Sequence, residues 1–515
     1  MTDILQLAGY AAALSLCITV ILTPWLGLAL YYALAIVHPE VFWPEIFNTY
    51  RISLITSAST ILGLAILIKR NGFPTENLKH AVPILVLVLF LLVNLSHYTA
   101  DVTSDEMFLG TFDPDYMVQL FNKMIIFFLV SLLVLRNWFQ VYSLIYVLAA
   151  SVVFLAVWAN VRYFTEIDQL GILERVGGPG IYSDENVFAT VMVIGFPVVY
   201  YLSLISKRLM LKAACYLSLC AIFHAFYLTG SRGGLFAAVI VILYIGICSK
   251  SKKAGVAVVI LFLTTLAIQG QTVIERYNDT LTTYTELQDV SKVDTRQTIW
   301  AVAIEIIKGN LWTGIGPGRF HVEQLSFTPY DNIRGIECET GNTCNTHNTI
   351  LQFTTSAGIA AGALYLAFFI FVTMQVRFEH KNRHLVQKIH ILKADGSRLD
   401  LNDFSSNSGN MIASALLGLF VCSLFLNFMI FELLYFLFVL FIVRATLVRH
   451  ELANASRQKA SKRKKRLSSG RSSKSSKRTS ESPTYSESGN PRHRRRRRRR
   501  RSDSPADHAI EVSTP

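Results

Sequence analysis

The sequence predicts an all-α, polytopic integral membrane protein of about 12 transmembrane helices, with one long loop outside the membrane and a disordered basic C-terminal tail. Three observations carry this expectation. Of 515 residues, 52% are hydrophobic and only 16% charged, with a mean hydropathy of +0.40. A soluble domain carries about 25% charged residues, and a chain this apolar would not stay dispersed in water. The apolar residues are also gathered into runs long enough to cross a bilayer, and the loops between the runs alternate in charge.

Taken in order, residues 4–38 form an apolar run broken at Thr23-Pro24. We read it as one kinked or partly re-entrant element, because two full spans would put the N-terminus outside. Spans then follow at 50–68, 81–98, 119–135, 141–159, 184–205, 211–229, 231–248, 254–269, 347–376, 411–427 and 428–447. The basic loops are Lys69/Arg70/Lys79, Arg136, Lys207/Arg208/Lys212, Lys250/Lys252/Lys253, 377–393 and the tail, and all fall on one side. The acidic or neutral loops, 99–118, 160–183, 229–231 and 270–346, fall on the other. Positively charged loops stay cytoplasmic, which places the C-terminus inside and the long segment outside. The expected organisation is a transmembrane region over 1–269, a periplasmic loop with an amphipathic helix over 270–346, a second transmembrane region over 347–449 and a disordered cytoplasmic tail over 450–515. No cleavable signal is expected, since the first apolar run lacks a small-residue cleavage site.

The net charge of +14 belongs to the tail: from Arg444 onward there are 22 Lys/Arg against 6 Asp/Glu. The tail is Ser/Lys/Arg-rich, contains the unbroken run Arg494–Arg501, and has too little apolar surface to fold. Attraction to an anionic inner leaflet, at roughly 1 kcal/mol per basic residue, is its expected role, and no nucleic acid partner is expected. Cys17, Cys215, Cys220, Cys248 and Cys422 lie in apolar runs and read as packed thiols. Cys338 and Cys344 stand in the polar segment, where an extracytoplasmic disulfide could close a small loop.

Three places could carry chemistry. Arg232 lies in TGSRGG between two apolar runs, flanked by Gly230, Gly233 and Gly234. Those glycines would let a ligand approach the guanidinium, the natural two-pronged partner of a phosphate, although a snorkelling interfacial arginine is the bland reading. Arg296 opens an amphipathic segment with Trp300, Ile304 and Ile307 at helical spacing, read as an interfacial helix, and a basic residue in its first turn opposes the macrodipole. Gly314-Ile315-Gly316-Pro317-Gly318 then makes a turn that no helix could continue; it lacks the lysine of a phosphate-binding loop. His347 follows Asn345 and Thr346, either of which could cap a helix starting there. A histidine at a helix N-terminus is held neutral, as a general base must be, although a lone one is more often structural. Asp113-Pro114-Asp115 is the rival, a pair of carboxylates that could hold a divalent cation beside a diphosphate or could make an ordinary turn. His380 and His384 lack the glutamate of a zinc motif and sit among positive charges.

TGSRGG, the arginine and tryptophan leading into NLWTGIGPGRF, and THNTILQFTTSAGIAAG together resemble the O-antigen ligase superfamily, which includes O-antigen ligases, O-antigen polymerases and bacterial O-linked oligosaccharyltransferases. The resemblance covers about 170–376, where GIYSDENVFAT adds Asn186 at a helix start. PWLGLALYYALAIVHPEVF is similar to the N-terminal region of exosortase-associated O-glycosylation ligases. The resemblance implies a metal-independent, inverting transfer of a glycan from an undecaprenyl diphosphate carrier to an acceptor hydroxyl, at the periplasmic face of the bacterial inner membrane. It implies that Arg232 and Arg296, with Arg319 as a third contact, grip the diphosphate while His347 activates the acceptor. Asn186, Gly316, Gly318 and Asn348 support them, and no cofactor or metal is expected. Trp300 stands where the ligase motif often has leucine. The acceptor, whether lipid A core, another glycan or a protein, stays open, with ligation to lipid A core preferred. A transporter of the same lipid-linked glycan is the alternative from another class; it would also need arginines facing the headgroup, and often shows internal repeats and broken helices.

Overall fold

The structure, a computed structural model, describes residues 2–100, 113–170, 175–248, 251–268, 295–324, 345–382, 390–392 and 398–475. The N-terminal part comprises α1 (Thr2–Leu22), α2 (Pro24–Val37), α3 (Pro39–Phe42), α4 (Pro44–Tyr50), α5 (Ile52–Asn71), α6 (Ala81–Thr99), α7 (Pro114–Val134) and α8 (Trp138–Leu170). There follow α9 (Glu185–Ile205), α10 (Leu209–Leu228), α11 (Arg232–Cys248), α12 (Lys252–Ile268), α13 (Thr295–Gly309), α14 (Phe320–Glu323) and α15 (Thr349–Asn382). A hairpin of β1 (His390–Leu392) and β2 (Arg398–Asp400) precedes α16 (Leu401–Ser423) and α17 (Glu432–Ser475).

Among the described residues, eight helices are long and apolar enough to cross a membrane: α5, α6, α7, the first 28 residues of α8, α9, α10, α15 as far as Glu379, and α17 as far as Asn454. Shorter apolar helices cover Gly9–Leu22, Pro24–Val37, Arg232–Cys248 and Asn407–Ser423. Every span expected after residue 50 overlaps one helix, and most ends agree within a few residues; α8 runs on to Leu170, α16 begins as early as Leu401 and α17 continues to Ser475. The N-terminal run, expected as one kinked or partly re-entrant element, comprises two helices, α1 and α2. Thr23 leaves helical geometry (φ −133°, ψ 73°), Pro24 begins a new helix, and both α1 and α2 pack on α5. Proline cannot donate the hydrogen bond that would continue α1, so the break falls where the sequence places it.

The core is organised by α9. Its residues are apolar on every side, which suits a helix surrounded by others. It packs against α8, α10, α11 and α16, and Phe188 through Leu202 are almost entirely buried. Gly195 allows the contact with α8: a Cβ there would sit 2.2 Å from Val152.

The described architecture is helical, as expected, apart from one short pair of strands: β1 and β2 run antiparallel, with His390 opposite Asp400. The tail is not without structure from 450 onward, because α17 runs on to Ser475. Ala, Gln, Lys and Arg are strong helix formers, and extending an existing helix avoids the cost of nucleation. The chain divides into two compact units, Met1–Leu452 and Ala453–Pro515. Residues 476–515, with the arginine run, lie outside the described residues.

Candidate active site

The Arg232 turn is built by polar side chains because its glycines supply none. Gly230 adopts φ +60°, a region glycine reaches without strain. Ser231 Oγ accepts from Gly234 N (3.2 Å), capping α11, and donates to Asn186 Oδ1 at 2.8 Å. Asn186 stands in the first turn of α9, which Asp184 caps by accepting from the amides of Asn186 (2.7 Å) and Val187 (3.1 Å). A Cβ on Gly234 would sit 3.0 Å from Ala189, so the glycine lets α11 approach α9. Arg232 itself is exposed, and among the described residues its guanidinium has no hydrogen-bond or ion-pair partner.

His347 does not begin a helix. Its backbone is left-handed (φ +45°), a conformation in which histidine is enriched but which still carries strain. The helix starts two residues later, and its cap is Asn348 rather than Asn345 or Thr346: Asn348 Oδ1 accepts from Ile350 N (2.9 Å) and Leu351 N (3.1 Å). Thr346 turns inward and donates to Gln352 Oε1 at 3.0 Å. His347 is half-buried just ahead of the α15 N-terminus, where the first amides carry partial positive charge.

Arg296 is half-buried in the first turn of α13, one turn before Trp300, whose indole N–H donates to Thr346 O at 2.9 Å. Residues four apart on a helix are neighbours, so Arg296 lies beside the side chain that ties α13 to the residue preceding His347. The buried stripe of α13 is Ile299, Val302, Ala303 and Ile306, packed on Ile315, Phe320 and Leu351. Ile304, expected on the buried face, is exposed, because the partner is the glycine turn and α15 rather than a flat interface.

The glycine turn has a purpose that its sequence hides. Within α15, Ala357 (φ −143°, ψ 22°) and Gly358 (φ +82°, ψ 173°) break the helix. The carbonyls released by the break are taken up by the turn: Ile315 N donates to Thr355 O (2.8 Å) and Gly316 N to Ser356 O (3.1 Å), while Ile359 N donates to Leu311 O (2.9 Å). Ser96 Oγ of α6 also donates to Ser356 O (2.6 Å). Within a membrane protein such groups must find protein partners, and here they do. The approach leaves no room for side chains, since a Cβ on Gly314 would lie 2.6 Å from Ala357 N and one on Gly358 would lie 2.1 Å from Trp312 O. Gly316 and Gly318 both have positive φ, and Arg319 is enclosed, only 4% exposed.

Two contributors escaped the sequence reading. One is the turn between α16 and α17. Asn348 Nδ2 donates to Leu424 O (3.1 Å), Thr349 Oγ1 to Leu426 O (2.6 Å), and Phe428 N to Thr349 Oγ1 (3.0 Å). Phe425 lies over Gly233, 3.3 Å from where its Cβ would stand, and edge-on to Phe236. This apolar stretch, read as the end of one span and the start of the next, therefore joins the His347 segment to the Arg232 helix. The other is Arg175, bonded to Thr229 O and Asn186. Its segment looked like an ordinary loop, and only the odd basic residue on the acidic side could have marked it.

Asp113 and Asp115 have separate local tasks. Asp113 caps α7 by accepting from Asp115 N (2.8 Å), and Asp115 lies 2.9 Å from His97 Nε2. Cys338 and Cys344 lie outside the described residues; the other five cysteines are free thiols.

Residues 213–366 match the family described as O-antigen ligase, while no curated protein matches the chain. The matched segment begins within α10 and ends within α15, and it contains Arg232, Arg296, Arg319, His347 and Asn348; Asn186 and Arg175 precede it. Over this segment the chain is similar to the O-antigen ligase family.

Proposed function

We propose that the protein is a metal-independent, inverting glycosyltransferase that moves a glycan from an undecaprenyl diphosphate carrier to an acceptor hydroxyl. The observation that supports this most is the single O-antigen ligase segment holding Arg232, Arg296 and His347. The physical arrangement is compatible with it. A diphosphate is already a good leaving group, so the protein's tasks are to stabilise its charge and to remove a proton. Arg232, bare at the start of α11, and Arg296 serve the first task. His347, beside the amides of α15, serves the second by accepting the acceptor's proton. As the acceptor oxygen bonds to the anomeric carbon from the face opposite the carrier, the bond to the diphosphate oxygen breaks and the carrier leaves with that electron pair.

The preferred acceptor is lipid A core; another carrier-linked glycan or a protein hydroxyl would make the protein a polymerase or an O-oligosaccharyltransferase. We further propose twelve crossings of the bacterial inner membrane, with the Arg232 and His347 segments facing the periplasm and the basic tail on the cytoplasmic leaflet. The charge alternation of the loops supports this sidedness. The test is reconstitution with carrier-linked glycan and a panel of acceptors in EDTA, followed by mass spectrometry of the attachment point. Transfer to lipid A core is expected to persist without divalent metal. The broken α15 admits a second reading, transport of the lipid-linked glycan. Glycan crossing liposomes with no new glycosidic bond would establish that reading and overturn the first.

A further inference from the structure

The Arg232 turn depends on a side chain outside the matched segment. Three of its residues, Gly230, Gly233 and Gly234, have no side chain to pack, so polar ties must set where the turn stands. Those ties converge on Arg175. Its Nε donates to Thr229 O (2.7 Å), a carbonyl left over at the end of α10. Its Nη2 donates to Asn186 Oδ1 (3.0 Å), and its Nη1 lies 3.4 Å from Glu185 Oε2. Asn186 Oδ1 is shared with Ser231 Oγ, the hydroxyl that caps α11. The neighbouring backbone is held as well, since Val176 N donates to Leu228 O at 3.1 Å.

We propose that Arg175 is a positioning residue for Arg232, forking between Thr229 O and Asn186 so that the start of α11, and with it the Arg232 guanidinium, is fixed to receive a diphosphate. This rests on the reading of Arg232 as a diphosphate ligand. A planar guanidinium reaches the α10 carbonyl and the α9 amide at once, which a lysine ammonium on its flexible stem does not. Asn186 accepts from two donors, which uses both lone pairs of its oxygen and orients the amide. Glu185 offsets the repulsion between two arginines near one turn. The path from Arg175 through Asn186 and Ser231 to the α11 amides contains no apolar link.

The test measures binding of undecaprenyl diphosphate to the full-length protein in nanodiscs, with melting temperature recorded alongside. Arg175→Ala is expected to bind about tenfold more weakly, the scale of one lost hydrogen bond to a charged group. Arg175→Lys should recover little of that loss. The decisive measurement is the double-mutant cycle, because residues acting through one another do not add. Arg175→Ala with Arg232→Ala should bind no worse than Arg232→Ala alone. A merely structural role would lower the melting temperature and give additive losses, and either additivity or wild-type binding by Arg175→Ala overturns the proposal. Should Arg175→Ala fail to fold, Ser231→Ala carries the same cycle, removing only one hydroxyl from the path. Wild-type binding by Arg232→Ala would instead overturn the diphosphate reading itself.

Discussion

Arg232 and Arg444, set at opposite ends of α11, have opposite surroundings. At the end where α9, α11 and α15 begin, Arg232 stands exposed with no partner among the described residues. At the end where α11 finishes, Arg444 of α17 is buried, its Nη1 2.6 Å from Glu379 Oε2 and its Nε donating to Ser408 Oγ at 3.0 Å. Gly409 makes space for the guanidinium, and Arg449 donates to Gln375 (2.7 Å), which in turn donates to Glu379 (2.9 Å). Asn410 donates to Cys248 O (3.3 Å), which sets this network at the far end of the 17-residue α11, roughly 25 Å from Arg232 by helical rise. A charge enclosed and neutralised by its own protein serves packing. On the proposed function, the charge left bare above the glycine-lined turn is the one that meets a ligand.

The largest test of that contrast is functional. His347→Ala and Arg232→Ala are each expected to reduce transfer by about 10⁴-fold, or to background, with unchanged melting temperature in detergent. Wild-type product from His347→Ala would remove the proposed base and break the contrast. At the opposite end the signs reverse. Arg444→Met strands Glu379 in a buried site and should lower stability by about 3–5 kcal/mol, while transfer per folded molecule persists. Adding Glu379→Met should restore most of the loss, because removing both partners leaves no unpaired charge. Differential scanning fluorimetry on the single and double variants reads this directly.

How much of this was legible beforehand depends on which signal each element carried. Apolar length placed the helices after residue 50, since burying an uninterrupted apolar run leaves little choice of structure. Charge alternation brought Arg232, Arg296 and His347 to one side, and the structure links them through Trp300 and the Leu424–Phe428 turn. What stayed hidden were ties made by backbone groups and small polar side chains. The break at Ala357–Gly358 looks in sequence like any small-residue stretch of a membrane helix, because its cause is distant: the glycine turn supplies the missing partners. The left-handed His347 was invisible for the same reason, as the cap fell on Asn348 only because Thr346 turned toward Gln352.

That break offers the next smaller effect. Gly358→Ala would place a Cβ 2.1 Å from Trp312 O on a backbone at φ +82°. A strained non-glycine residue of this kind costs about 1–3 kcal/mol before the clash is counted. The melting temperature should fall, and transfer should fall with it, because the same loop carries α13 against α15. Full activity at reduced stability would separate the glycine turn from the site.

The smallest effect sharpens the contrast most, because it divides one side chain between two tasks. Asn348 caps α15 through Oδ1 and tethers the segment to Leu424 O through Nδ2. Asn348→Ala loses both and should cost about 1 kcal/mol in stability, the usual value of a cap. Asn348→Asp keeps an accepting oxygen and adds a negative charge at a helix N-terminus, so the cap survives. It has no hydrogen to offer Leu424, and a carboxylate beside that carbonyl is repelled. If the tether positions His347 against the Arg232 helix, Asn348→Asp should melt like the wild type yet turn over several-fold more slowly at saturating acceptor, about 1 kcal/mol in the barrier. If Asn348 serves the helix alone, Asn348→Asp should match the wild type in both, and the Leu424–Phe428 turn would be packing rather than part of the site.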